Sequence, residues 1–140
     1  MKKKNKKYAY IQNWGTYSNQ TAVCVGMSRQ EIVNYLRRIK SPAEMAVRFL
    51  ERTADFDKHI RNNSDTISKV FYDEGRSILS FADWKNDWQH WDYLVHEITH
   101  LVHNILGHYK NMMDEDEARA YQTEFLFIEI RRKLWKLSEK

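Results

Sequence analysis

The sequence contains one cysteine, one proline and four glycines in 140 residues. Cys24 has no second cysteine in the chain to pair with, so an internal disulfide is excluded, which is typical of a cytoplasmic protein. No run approaches the roughly 18 apolar residues of a membrane span. The residues after the first lysines also lack the apolar stretch of an export signal. We therefore predict a cytoplasmic protein without membrane association.

The body of the chain also lacks an excess of basic charge. The formal net charge is +4, from 23 basic and 19 acidic residues. Five of the lysines fall within residues 1–7, which leaves 18 basic against 19 acidic side chains in the remainder. We predict that residues 1–7 form a disordered basic tail. The remainder lacks the basic surface that nucleic-acid-binding domains usually carry.

The rest of the chain, residues 8–140, is long enough for one domain with a single core, and 42% of the whole sequence is apolar. Residues 8–26 alternate polar and apolar types around a break near Gly15, which predicts a hairpin or two short strands. Residues 67–72 and 77–81 predict a second hairpin, because the Asp-Glu-Gly-Arg segment between them suits a tight turn.

Two helices are predicted between the hairpins. Ser28 followed by Glu31 forms a capping box at the start of the first helix. Ser41 and Pro42 repeat a start signal, and the second helix should run to about Thr53. Residues 55–65 show no clear period and are predicted to be a loop.

The last third of the chain predicts two long helices. Eight apolar residues recur at helical spacing in the first of them: Trp91, Leu94, Val95, Ile98, Leu101, Val102, Ile105 and Leu106. Gly107 is predicted to cap its C-terminus. The second should start near Asp114, where negative charges complement the helix dipole. These elements predict an α+β fold with a short antiparallel sheet packed against the two long helices.

The first long helix contains an H-E-x-x-H motif at His96, Glu97 and His100. Four residues advance a helix by about one turn, so both imidazoles project from one face about 6 Å apart along the axis. One zinc ion can bridge that separation. Glu97 is rotated by about 100° from His96, which places it beside the metal and able to take a proton from a bound water.

The surroundings of the motif favour a metal site. The histidine face lies opposite the apolar stripe, no Lys or Arg occurs between Lys85 and Lys110, and five of the six histidines fall in this segment. A bland helix would place charged residues on that face. The alternative is a histidine-rich helix face that is merely polar and holds no metal.

A catalytic zinc site needs a third protein ligand. His103 shares the face of His96, but a rise of about 10 Å separates them, too far for two ligands of one ion. His103 is therefore either a hydrogen-bonding group near the site or an exposed bystander. Glu117 and Glu124, seven residues apart on the last helix, are better placed. Glu117 is the candidate ligand, and the alternative is a helix-start carboxylate that only complements the dipole.

His-Glu-Ile-Thr-His followed by Glu-Ala-x-x-Tyr-x-x-Glu-Phe-Leu resembles the ImmA/IrrE type of gluzincin metallopeptidase. In that family the active-site helix precedes a helix of the form E-A-x-x-F-x-x-E-L-L. The resemblance covers residues 91–127 and implies a zincin-like fold with Glu117 as the third zinc ligand and Glu97 as the general base. Thr99 stands where the family usually has Gly, and Tyr121 replaces Phe.

The resemblance implies a zinc-dependent peptidase. A water on zinc held by His96, His100 and Glu117 would lose its proton to Glu97 and attack a peptide carbonyl. Strand 77–81 is the predicted edge against which a peptide substrate would lie. The residue that stabilises the oxyanion stays open among four candidates: Tyr93, His103, Tyr109 and Tyr121.

Two other functions are considered. A zincin-like interaction protein without proteolytic activity, for example a regulator carried by a phage or mobile element, would bind a protein partner through Trp84, Trp88 and the basic ends of the chain. A tryptophan-rich helix entry is, however, more often core packing. A nucleic-acid-binding module using Arg37, Arg38, Lys40 and the lysine tail is disfavoured, because those charges belong to no recognisable motif. The sequence indicates no oligomeric state.

Overall fold

The computed structural model describes residues 6–15, 19–53, 68–73, 76–108 and 116–139. Within these ranges the elements follow one another as strands β1 (Tyr8–Asn13) and β2 (Gln20–Val25), helices α1 (Arg29–Arg38) and α2 (Ala43–Arg52), strands β3 (Ser68–Asp73) and β4 (Arg76–Phe81), and helices α3 (Trp88–His108) and α4 (Asp116–Ser138). The α+β class is confirmed. The predicted 55–65 loop and most of the basic tail lie outside the described residues.

The four strands form one mixed sheet in the order β1-β2-β4-β3. Both predicted hairpins are confirmed, since β1 pairs antiparallel with β2 and β3 pairs antiparallel with β4. The prediction of a purely antiparallel sheet is wrong, because β2 and β4 pair in parallel, with Val23 opposite Leu79. Parallel neighbours need a long crossover connection, and the segment that contains α1 and α2 supplies it.

The position of β4 also corrects a functional prediction. Residues 77–81 were expected to offer an edge to a peptide substrate, yet β4 is hydrogen-bonded to β2 on one side and β3 on the other. A strand with two neighbours has no free backbone groups for a third. Among the described strands the edges of the sheet are β1 and β3, so a substrate strand that paired with this sheet would use one of them.

Alternation along the strands sends side chains to opposite faces of the sheet, and each face is covered by two helices. On one face α1 and α2 pack against Ala22, Cys24 and Ile78. On the other, α3 and α4 pack against Val23 and Leu79. The core therefore has two parts, separated by the sheet.

The helix boundaries follow their predicted signals with two exceptions. α1 starts with the full capping box of Ser28 and Glu31. Pro42 is the N-cap of α2 and offers no side-chain hydrogen bond. Ser41, which is part of the predicted start signal, therefore does not cap this helix. Gly107 lies inside α3 rather than after it, and the positive-φ glycines among the described residues are Gly15 and Gly26.

Across these ranges, none of the helices is both long enough and apolar enough to cross a membrane.

Candidate metal centre

α3 presents the histidine motif, and its start is fixed by a side-chain cap. The carboxylate of Asp87 accepts a hydrogen bond from the backbone N–H of His90, at 2.9 Å. Asp87 also accepts from the imidazole of His90, with 2.7 Å between Oδ1 and Nδ1. These contacts, the backbone one first, hold the pKa of Asp87 below its ordinary value. The first turn of α3 is thereby held about two turns before His96.

His96 and His100 lie together on the exposed face of α3, opposite the buried stripe. Their Nε2 atoms are 3.2 Å apart, and the ring centroids are 4.8 Å apart with planes at 76°. Two nitrogens each about 2.0–2.1 Å from a tetrahedral zinc ion would be separated by roughly 3.3 Å. The pair therefore fits two positions of one zinc ion. The same spacing suits a hydrogen bond in which one Nε2–H donates to the other Nε2.

Glu97 is only 7% exposed, although both of its histidine neighbours in the motif are exposed. It lies about 100° around the helix from His96 and about 60° from His100, between the histidine face and the buried face. A buried carboxylate next to a pair of imidazoles is a group that can accept and return a proton. The carboxylate and the two imidazoles of the motif therefore occupy adjacent sides of one helix.

Glu117 lies on the first turn of α4, and its side chain is exposed. Gln122 sets this orientation, because it is buried and donates from Nε2 to the backbone carbonyl of Trp14, at 3.0 Å. Glu117 precedes Gln122 by five residues, which places it about 140° away around the helix. Within the described parts of the chain, no set of three His, Cys, Asp or Glu side chains is close enough to hold a metal ion. The structure thus brings His96 and His100 together but leaves Glu117 apart from them.

His103 and Glu124 line a groove between α3 and α4, together with Thr99, Asp116 and Arg119. His103 lies on the face of His96 but about two turns further along α3. The groove is lined by His103 and not by His96 or His100. The Thr99 hydroxyl donates to the carbonyl of Val95, at 2.9 Å, so the residue that differs from the family pattern is accommodated beside an open groove.

The predicted oxyanion-stabilising tyrosines occupy different environments. Tyr93 is half-buried and packs edge-on against His90, with ring centroids 5.6 Å apart. Tyr121 is 68% exposed on α4, and Tyr109 lies outside the described residues. The structure singles out none of them, so this role stays a set of predictions.

The groove and the aromatic residues at its end are features that sequence reasoning missed. Arg131 on α4 lies over the ring of Trp91, with 5.5 Å from its guanidinium carbon to the ring centroid. Trp135 stacks on the same ring at 6.4 Å. The spacing of Arg131 and Trp135, four residues apart on one helix, was a signal for this cluster. Trp84 is 8% exposed and packs against Phe81, so its position favours core packing over the predicted role in binding a partner.

Comparisons with protein-family models, curated proteins and solved structures find no match to this chain. The similarity of residues 91–127 to the ImmA/IrrE metallopeptidases therefore depends on the two motifs themselves.

Proposed function

We propose that this protein is a zincin-like metallopeptidase of the ImmA/IrrE type, which hydrolyses a peptide bond in a cytoplasmic protein or peptide. In this proposal His96, His100 and Glu117 hold Zn²⁺, and Glu97 is the general base. The observation that carries it is the 3.2 Å separation of the two Nε2 atoms, which matches two ligands of one tetrahedral ion.

The proposed chemistry divides between the metal and the chain. Zinc, when bound, lowers the pKa of a water molecule and polarises the substrate carbonyl. Glu97 accepts the proton that the attacking water loses and returns it to the leaving amine. Its low exposure supports this role, because a carboxylate shielded from bulk water keeps the accepted proton close to the reacting atoms. The backbone of α3 holds the two imidazoles one helical turn apart.

The role of Glu117 requires a change in the first turn of α4. Asp116, its neighbour, lines the same groove as Thr99, so this turn faces the motif segment of α3. The Gln122 hydrogen bond to Trp14 holds α4 one turn further on. Metal binding would have to turn Glu117 toward the imidazoles while that anchor stays in place. This demand makes Glu117 the most informative residue to change.

Metal analysis of purified variants tests the site. We expect about one zinc per chain in the unchanged protein, and loss of zinc in His96→Ala and in His100→Ala. Glu117→Gln should weaken zinc binding, whereas Glu124→Gln, seven residues away on the same helix, serves as the matched control and should retain it. Retention of zinc in both histidine variants would overturn the proposed centre.

Peptidase activity is tested separately, with zinc-loaded protein and a library of quenched fluorescent peptides. Glu97→Gln should retain zinc and lower the cleavage rate by about 10² to 10⁴-fold, the usual contribution of a general base. Glu44→Gln, which makes the same change in an exposed carboxylate on α2, is the matched control and should leave the cleavage rate unchanged. Equal cleavage rates in Glu97→Gln and the unchanged protein would exclude the proposed mechanism.

A second candidate function is favoured by the exposed tryptophans. Trp88 is 78% exposed and Trp135 is 39% exposed, and exposed aromatic clusters are typical of protein interfaces. The chain would then be a non-proteolytic protein that binds a partner. A biological effect that persists in Glu97→Gln but disappears in Trp88→Ala would favour this function over the first.

A further inference from the structure

Among the described strands β1 pairs with β2 alone, and its register identifies the backbone groups that point outward. The N–H of Trp14 donates to the carbonyl of Asn19, at 3.2 Å, and the same register continues through β1. Hydrogen-bonded and non-hydrogen-bonded pairs alternate along an antiparallel ladder. Ala9, Ile11 and Asn13 are therefore the residues that do not bond to β2, and their N–H and C=O groups point along the free edge of the sheet.

The sequence of β1 does not protect this edge. Edge strands are commonly shielded by charged side chains, proline or a β-bulge. β1 contains no charged residue and no proline, and its register with β2 is unbroken. The carbonyl of Asn13 accepts from the exposed side chain of Gln12, at 3.1 Å, a contact that a backbone N–H can replace. An extended segment can therefore add to β1 as a further strand.

A cavity beside this edge, hereafter the α1 pocket, is placed to receive one side chain of such a segment. It has a volume of about 310 Å³ and lies between the start of β1 and α1. Ala9 lines the pocket and packs on the α1 side of the sheet. Directly opposed residues of neighbouring strands have their side chains on the same face. The residue opposite Ala9 would therefore point toward the α1 pocket.

The charges in the α1 pocket favour an acidic side chain. Lys7 and Glu31, which both line it, pair with each other, with 3.1 Å between Nζ and Oε1. Arg38 also lines it, with its guanidinium carbon 5.6 Å from the ring centroid of Tyr35. Within the described parts of the chain Arg38 has no carboxylate partner. The pocket therefore has one positive charge that no carboxylate of these parts compensates.

We propose that β1 binds an extended segment of a partner protein as an antiparallel strand, with an aspartate or glutamate opposite Ala9 in the α1 pocket. The outward backbone groups of β1 supply the strand pairing, and Arg38 selects the acidic residue. A second copy of the chain fits less well, because its β1 has no carboxylate to place beside Arg38. The proposal does not depend on the metal centre, since β1 lies at the opposite edge from β3, the strand against which α3 packs.

A displayed library of random ten-residue peptides tests the proposal on the full-length protein. Peptides are selected on the unchanged chain and counter-selected on Ala9→Pro. Proline at this position removes an N–H that points outward and no bond to β2, which is where an edge strand tolerates proline. We expect enriched peptides that alternate apolar and polar residues, as strands do, and that share one aspartate or glutamate.

The enriched peptides are then synthesised with blocked termini and titrated by fluorescence anisotropy. Replacing the shared acidic residue by its amide should weaken binding to the unchanged protein about tenfold, the effect of losing a hydrogen bond to a charged group. The same replacement should make no difference to Arg38→Gln, which lacks the positive charge. Arg37→Gln is the matched control and should behave as the unchanged protein, because Arg37 is also exposed on α1 but does not line the pocket.

Amide hydrogen exchange, followed by NMR, tests the strand pairing itself. In the free protein the N–H groups of Ala9, Ile11 and Asn13 should exchange quickly, whereas that of Tyr10, which bonds to β2, should exchange slowly. A saturating peptide should slow exchange at the first three. The same spectra verify that each variant is folded. If Ala9→Pro is not folded, this measurement and the comparison with Arg38→Gln decide the proposal.

Three results would overturn the proposal. The first is a selection that enriches no peptide, or enriches peptides that bind folded Ala9→Pro as tightly as the unchanged protein. The second is peptide binding that leaves exchange at Ala9, Ile11 and Asn13 as fast as before, which would place the peptide elsewhere. The third is concentration-dependent dimerisation that Ala9→Pro abolishes, which would assign the edge of β1 to a second copy of the chain.

Discussion

The helices on the two faces of the sheet differ in what they leave exposed. Among the described residues, α1 and α2 have one exposed large apolar side chain, Val47. α3 and α4 have five: Trp88, Val95, Tyr121, Phe125 and Trp135. Both layers also contain side chains that are completely buried, so the second layer is not simply less well packed. Its exposed aromatic rings and imidazoles are not needed to cover the sheet, and both proposed functions are placed in this layer.

The largest expected effects on stability come from substitutions on the buried side of each layer. Leu101→Ala in α3 and Leu36→Ala in α1 each remove a side chain that is at most 1% exposed. Each should lower the free energy of unfolding by about 2–5 kcal/mol, measured by urea titration. Added zinc should stabilise Leu36→Ala as much as the unchanged protein. It should stabilise Leu101→Ala less, because Leu101 packs in the core beneath α3, the helix that carries His96 and His100.

If zinc stabilised Leu36→Ala as little as it stabilises Leu101→Ala, the proposed placement of the zinc site in the layer of α3 and α4 would be contradicted. A cost below about 1 kcal/mol for either variant would contradict the burial of its side chain.

Much of this architecture was predictable because it depends on local spacing. The capping box of Ser28 and the helical period around His96 and His100 require only neighbouring residues, and both are found in the structure. The separation of the two imidazoles likewise follows from one turn of helix.

The remaining features depend on contacts between distant parts of the chain. The parallel pairing of β2 with β4 is decided by where two hairpins meet, and neither hairpin contains that information. The exposure of Glu117 depends on Gln122 bonding to the backbone of Trp14, 108 residues earlier. The groove between α3 and α4 depends on the distance between these two helices. The spacing of residues along the sequence does not specify any of these long-range contacts.

Intermediate effects are expected at the helix caps, which differ in whether they titrate. Asp87→Ala and Ser28→Ala should each cost about 1 kcal/mol at pH 7. The pKa of Asp87 is lowered in the folded protein, so its ionised form stabilises the fold above the unfolded pKa of about 4 and that stabilisation is lost as the pH falls further. The cost of Asp87→Ala should therefore shrink below about pH 4, while the cost of Ser28→Ala, a hydroxyl cap, persists.

Asp87→Asn is the matched control for this prediction, because asparagine caps a helix without titrating. It should be nearly as stable as the unchanged protein at pH 7 in thermal unfolding. A cost for Asp87→Ala that stays constant from pH 7 to pH 3 would show that the cap acts through something other than its charge.

The smallest effects on stability are expected at the exposed apolar residues, where the two layers should differ most in function. Val47→Ser should change the free energy of unfolding by no more than about 0.5 kcal/mol. Trp88→Ala loses its edge-on contact with Trp91, which is worth about 0.5–1.5 kcal/mol for an aromatic pair. Both variants should therefore stay folded. Only Trp88→Ala should impair the partner binding of the second candidate function, because Trp88 belongs to the exposed aromatic cluster on which that function depends. Equal partner binding by the two variants would remove the functional distinction between the layers.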